Sequence, residues 1–233
     1  MIRLCTFGTT PRYAGSLKLL EREANESRYF DDVAVYTQDN LPASPPQKHF
    51  MQTRSRGYGY WIWKTLVLRD IMEKAAPDDV IIYADAGCGI STTPAARARF
   101  AEWIHDVRTH PSHRLSFQMV HMEETWTKGD LFEFMGCNEA RYRKTGQHLA
   151  GIQAYLNTPE NSNLLREHLR IASADDFHYL ADEPSRLPNA PTFRDHRHDQ
   201  SILSLLFKRD GSACRPDHWE DPEFPVVALR RRG

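Results

Sequence analysis

The sequence predicts a single α/β domain with a mostly parallel central sheet flanked by helices. Three observations lead there. Short apolar runs of strand length recur along the chain, segments with helical spacing lie between them, and the opening follows a strand, helix, strand order that requires a parallel pair joined by a crossover helix. With 233 residues, 40% hydrophobic and 26% charged, the chain suits one unit that buries a substantial core.

IRLCTF (2–7) and DVAVYT (32–37) read as short buried strands, and PRYAGSLKLLEREANES between them has helical spacing. QDNLPASPPQ follows as a polar, proline-rich loop. RGYGYWIWKTL then leads into a helix over 60–74, which gathers Tyr60, Trp63, Lys64, Val67, Leu68 and Ile71 on one side and Thr65, Arg69 and Glu73 on the other. Lys64 is the anomaly. It lies among core-facing residues and in the first turn, where the helix dipole disfavours a cation, so it needs a negative partner from the protein or from a ligand.

DDVIIYADAGCGIST is a third apolar strand running into a glycine-containing turn at 85–89. TPAARARFAEWIHDVRTH (93–110) is a helix with Pro94 in its first turn, RLSFQMV (114–120) a strand, KGDLFEFMG a short helix and QHLAGIQAYL (147–156) one further strand. Helices over 159–172 and 199–207 complete the regular part, with no internal repeat and no low-complexity stretch. Sheets of this type bind ligands at the carboxyl ends of their strands.

Thirty basic residues against thirty-one acidic ones give a formal net charge of -1, which argues against a nucleic-acid partner, and the basic RRRG at 230–233 reads as a solvated tail. The start, MIRLCTF, lacks a basic leader and an apolar stretch, and no run of about 18 apolar residues occurs, so the expectation is a cytoplasmic protein without a transmembrane segment. Cys5, Cys88, Cys137 and Cys214 form no CxxC pair and read as reduced thiols.

Asp85 stands at the carboxyl end of the third strand. A turn aspartate bonding its own backbone explains it as well as a site does, but an anionic centre there would also explain Lys64. Gly87 and Gly89 would let a ligand approach the backbone. In FRDHRHDQS, Asp199 is a good N-cap for the helix after it. His196 and His198 beside Asp195 and Asp199 fit either the shell of a hard divalent cation or a surface loop of ion pairs. In WTKGDLFEFMG, Asp130 reads as a helix cap and the apolar residues as core. Gly151, inside a strand, marks close approach of a ligand or of another backbone.

Taken in order, the TFG strand end with Tyr13, RGYGYWIWK, YADAG, WTKGD, the 147–151 strand and HRHDQS resemble a bacterial glycosyltransferase-like family of the GT-A fold, over nearly the whole chain. The resemblance implies a GT-A-like, Rossmann-type domain, with 1–92 as the nucleotide-donor half and 93–233 as the acceptor half and closing segment. It implies transfer of a hexose-like sugar from a nucleotide-sugar donor to a glycan or lipid-linked acceptor, in surface polysaccharide synthesis, with room for peripheral membrane contact. Thr6, Phe7, Gly8 and Tyr13 take the donor-nucleotide positions, Lys64 and Arg56 face the diphosphate or sugar, and Ala86, Gly87 and Gly151 border the donor. Asp85 matches the first aspartate of the DxD metal motif. Asp199 and Gln200 match the late pair on the sugar and acceptor side, and His198 or His196 the late histidine of a Mn or Mg shell. Gly87 stands where the motif has its second aspartate. Either Asp85 and a histidine hold the metal with diphosphate oxygens, or Lys64 and Arg56 neutralise the diphosphate without one. Two other readings stay open: a metal-dependent phosphohydrolase using Asp85 and the DHRHD cluster, and a catalytically degenerate nucleotide- or sugar-binding module.

Overall fold

A computed structural model describes residues 1–218 and 220–231. The elements are β1 (Ile2–Phe7), α1 (Ala14–Ser27), β2 (Asp32–Tyr36), α2 (Pro45–Thr53), the single turn α3 (Gly57–Tyr60), α4 (Trp63–Lys74), β3 (Val80–Ala84), β4 (Gly89–Ile90), α5 (Pro94–Thr109), β5 (Arg114–Met122), α6 (Glu123–Trp126), α7 (Gly129–Phe134), α8 (Ala140–Arg143), β6 (Gly146–His148), β7 (Ile152–Leu156), α9 (Pro159–Phe177), α10 (Asp199–Asp210), β8 (Ala213–Pro216) and β9 (Val226–Val227). No helix among the described residues is long and apolar enough to cross a membrane.

β1 pairs in parallel with both β2 and β3, β7 lies antiparallel between β3 and β5, and β5 also pairs with β6 antiparallel and β8 parallel. Five of the seven strands, β1, β2, β3, β5 and β8, therefore run one way, and β6 and β7 oppose them. The expected α/β domain with a mostly parallel sheet is what the chain forms. Strand periodicity divides the core. On β3, Ile81 and Tyr83 pack with side chains of α4, α9 and α10, whereas Val80, Ile82 and Ala84 pack with α1 and α5. Both faces of the sheet are thus covered by helices, which is why its central strands are apolar throughout.

Four local readings change. The proline-rich stretch expected as a loop starts a helix: Pro45 is the first residue of α2, and the Gln47 side chain accepts the Ser44 N–H at 2.9 Å, a capping arrangement that proline favours. The aromatic helix begins at Trp63 rather than Tyr60, because residues 57–61 all have positive φ, from 50° at Tyr58 to 79° at Gly59. Gly57 and Gly59 are required there: a Cβ on Gly57 would sit 2.5 Å from the Trp61 ring, and one on Gly59 2.8 Å from the Met51 backbone. The strand expected over 147–156 breaks at residues 149–151 into β6 and β7, both paired to β5. Thr65, expected on the outer side of α4, is buried and faces α9, where its hydroxyl meets His168 Nδ1 at 2.8 Å.

Candidate active site

β3 carries the centre of the site. Tyr83 and Asp85 are two residues apart, so their side chains share one face of the strand end, and the Tyr83 hydroxyl donates to Asp85 Oδ1 at 2.6 Å. The turn is fixed by backbone bonds: Asp85 N–H donates to Gly151 O at 2.9 Å, and Cys88 N–H to Asp85 O at 2.9 Å. The Lys64 ammonium arrives from the first turn of α4. Its Nζ lies 3.2 Å from Asp85 Oδ1 and 3.5 Å from Asp199 Oδ2, and donates to Ala150 O at 3.3 Å. The broken strand makes the last contact, because a continuous β6–β7 ladder would have turned that carbonyl into the sheet. The expected counter-charge of Lys64 is therefore intramolecular and double.

Burial sets the protonation of this cluster. It opposes the Lys64 ammonium, but Asp199 and Asp85 together hold that group above the usual lysine range. Asp199 is pushed up to about 7 by burial, against the pull of Lys64 and with help from the Asp85 charge. Asp85 is the accessible member, its side chain about 34% exposed against 6% for Asp199. Its Oδ2 has no hydrogen-bond partner among the described residues.

Asp85 opens on a cavity of about 650 Å³ at the carboxyl ends of β1 and β3. Phe7, Gly8, Tyr13, Ala86 and Gly87 line it as expected, so the first strand, its following loop and the turn after β3 share one wall. Arg12, Tyr58, Trp61, Arg230 and Arg231 line it too, and sequence reasoning passed over them. The charged residues of the lining are those three arginines and Asp85. The run of glycines and aromatics at 57–61 was a legible signal for Tyr58 and Trp61. For Arg230 and Arg231 there was no local signal, since they reach the cavity through a tertiary contact. The tail reading is corrected there: Arg231 N–H donates to Gly87 O at 3.2 Å, and its guanidinium grips both carboxylate oxygens of Glu23 at 2.9 Å. Arg232 and Gly233 lie outside the described residues.

Other predicted residues stand elsewhere. Thr6 is fully buried in β1 with its hydroxyl unpaired among the described residues. Arg56 binds Asp182 at 2.9 Å and Asp195 at 2.8 Å. Gln200 Oε1 accepts the Ala150 N–H at 3.1 Å and its amide donates to Gln147 Oε1 at 2.7 Å, so Gln200 braces the broken strand. Lys64 and Asp199 sit behind Asp85. Gly87 and Gly89 are closely approached, but by the protein itself: a Cβ on Gly87 would meet the backbone N and O of Arg231 at 3.3 Å, and one on Gly89 would meet the Leu229 side chain at 2.6 Å.

The histidine-rich cluster is a fold-locking device. His196 Nε2 donates to Tyr179 O at 3.0 Å and His198 Nδ1 to Leu180 O at 2.8 Å, which fixes both tautomers if the rings are neutral. Burial keeps them so, holding His198 down to about 4 and His196 well below the usual range. His198 also stacks on Tyr60, with ring centroids 4.7 Å apart. The WTKGD stretch grips the same loop from the other side. Lys128 Nζ donates to the carbonyls of His178, Ala181 and Glu183. Asp130 accepts from His178 Nε2 at 2.6 Å and from the Arg186 and Leu187 N–H groups.

Asp85 and His198 do not make a fitting cage for Mn or Mg. Asp85 Oδ1 already takes an ammonium and a hydroxyl, and His198 Nε2, its remaining nitrogen, faces Asp182 at 3.6 Å. No three His, Cys, Asp or Glu side chains gather as ligands among the described residues. The two-metal geometry that a phosphohydrolase needs is likewise not formed there.

No protein-family model matches the chain, and no curated protein matches it. Among solved structures it is similar to a glycosyltransferase involved in glycosylation of the major capsid of PBCV-1, at 11% identity and a TM-score of 0.48, covering 97% of this chain and 92% of that one. It is also similar to mouse xyloside xylosyltransferase 1, at 16% identity and a TM-score of 0.44, covering 93% and 85%. A third is the galactosyltransferase LgtC in complex with donor and acceptor sugar analogues, at 12% identity and a TM-score of 0.46, covering 91% and 72%. At that distance the likenesses carry no argument, and the functional reading rests on the site.

Proposed function

We propose that the chain is a glycosyltransferase that moves a sugar from a nucleoside-diphosphate sugar to a glycan or lipid-linked acceptor. The observation that carries this reading is the charge composition of the cavity lining: one carboxylate, Asp85, already countered by Lys64, shares it with three arginines, Arg12, Arg230 and Arg231, and with aromatic rings. Such a cavity suits a ligand that combines a flat ring, a dense anionic group and a polar, neutral part. Tyr13, Tyr58 and Trp61 offer faces for a base. The arginines suit a diphosphate, since each guanidinium presents a planar fork of donors. The unpaired Oδ2 of Asp85 suits sugar hydroxyls, and it stabilises positive charge at the anomeric carbon as the diphosphate departs.

In this reading Lys64 holds Asp85 in place and Asp199 balances the charge of Lys64 from behind. Both are positioning residues, and the hydrogen bond from Tyr83 fixes the rotamer of Asp85. The test is isothermal titration of the full chain with UDP, GDP and CDP, followed by donor turnover with the matching nucleotide sugars. One diphosphate is expected to bind. Asp85→Asn is expected to keep that binding and to lower turnover by about 10²- to 10³-fold, the usual effect of removing one transition-state contact. Failure of every nucleoside diphosphate to bind the folded protein overturns the reading.

A further inference from the structure

We propose that residues 226–231 form a strap, pinned through Arg231, that offers the Arg230 guanidinium to the donor's diphosphate at the turn after β3. The proposal rests on the sugar-transfer reading and assigns its anion subsite to Arg230, with Arg231 as the residue that positions the strap.

Four observations carry it. The strap is built into the turn: β9 pairs antiparallel with β4, Gly89 to Val227 and Ile90 to Val226, and Arg231 N–H donates to Gly87 O at 3.2 Å. The strap fills the place of a side chain at position 87, because a Cβ there would lie 3.3 Å from both the nitrogen and the oxygen of Arg231. A side chain at 87 would press on the strap, which would have to give by a few tenths of an ångström to admit a second carboxylate. The strap is also clasped from α1. Glu23 receives the Arg231 guanidinium in a two-pronged ion pair at 2.9 Å, and its Oε2 accepts the Ile90 N–H at 3.1 Å, so one carboxylate ties the strap to β4. Finally, the second guanidinium is available. The only ion pair of Arg230 among the described residues is with Glu220, and the two side chains are 71% and 62% exposed, an arrangement that water largely screens.

With glycine at 87 the strap lies against the turn and presents the Arg230 guanidinium, while that of Arg231 stays with Glu23. No proton or electron moves in this step. Arg230 binds the diphosphate before transfer and stabilises the charge that accumulates on it as the bond to the sugar breaks.

The test is titration calorimetry of the full chain without added divalent metal, using inorganic pyrophosphate and UDP, GDP and CDP as probes. Wild type is compared with Arg230→Gln, Arg231→Gln, Gly87→Asp and a control, Arg69→Gln, whose partner Glu73 lies on the same outer helix surface. Arg230→Gln is the decisive variant, since its only lost partner lies on the surface, and circular dichroism confirms the fold of each. Pyrophosphate and the nucleoside diphosphate that binds are expected to weaken by about tenfold in Arg230→Gln, the size of one charge-assisted hydrogen bond, and to weaken in Arg231→Gln through release of the strap from Glu23, with Arg69→Gln unchanged. Gly87→Asp is expected to weaken both more strongly, by displacing the strap and adding a negative charge. Equal affinity in wild type and Arg230→Gln, or an equal loss in Arg69→Gln, overturns the strap assignment and leaves the sugar-transfer reading standing. If no probe binds wild type without metal but one binds once Mn or Mg is added, the strap assignment falls and the sugar-transfer reading stands; if none binds in either case, both fall.

Discussion

At the scale of single residues, the protein turns on an ammonium enclosed by two carboxylates and a carbonyl. Removing it leaves Asp199 buried without its partner, so Lys64→Met is expected to cost about 3–5 kcal/mol, read as a lowered urea midpoint. Lys64→Met with Asp199→Asn should lose less than the sum of the two single changes, and simple additivity would show that the pair is not coupled. Asp199 also predicts a pH dependence. The unfolded chain releases this proton near the ordinary carboxylate value of about 4, and the folded protein near 7. Between these values the folded state binds more protons, so stability from this group is complete below about 4 and is lost as pH rises through about 7. The buried histidines, His196 and His198 among them, work the other way in this window, gaining stability as pH rises towards their ordinary value, so the test is a difference: from pH 4 to 8 the wild-type urea midpoint should fall relative to that of Asp199→Asn. The anomaly at Lys64 was legible in the sequence, because a lysine on an apolar helix face in the first turn demands anions. Asp85, on the next strand, could be named as one of them, but that Asp199, far along the chain, is the other could not, since spacing along a sequence does not report which loops meet.

At the scale of elements, the turn at 57–61 is the costly piece of backbone. Gly59 has φ of 79° and no room for a Cβ beside the Met51 backbone, so Gly59→Ala combines left-handed strain with a collision. A loss of about 1–3 kcal/mol is expected, together with weaker ligand binding, because the same turn presents Tyr58 and Trp61 to the cavity. Thermal melts and titration with the bound nucleotide check the two effects separately. Most strands and helices could be read from periodicity, including β1 and the body of α5. The misses share one cause. Local pattern implies regular backbone, whereas tertiary contacts impose the positive-φ turn before α4, the break between β6 and β7, and the pairing of β4 with β9. Gly87, Gly89 and Gly151 pointed to close approach, but not to what approaches.

For the whole molecule, the sheet separates two cores. Phe207 of α10 belongs to one and Trp103 of α5 to the other, both almost fully buried. Phe207→Ala and Trp103→Ala are each expected to cost about 3–5 kcal/mol. Because the two residues share no cluster, the double variant should lose the sum, in a single cooperative urea transition. A shortfall from additivity would mean that the faces communicate through the sheet. The overall layering was the most legible property of the sequence, since it depends on many apolar positions at once and tolerates local errors. The cavity was less so, because residues from near both limits of the described chain complete it. One contact in it is invisible to genetics. The third partner of Lys64 is the Ala150 carbonyl, which every amino acid at that position would supply, and because the Ala150 methyl is fully buried, a side-chain scan there reports packing and not this oxygen. Only editing the peptide link itself, an amide-to-ester exchange between residues 150 and 151, would weaken that oxygen and make its part in holding the site measurable.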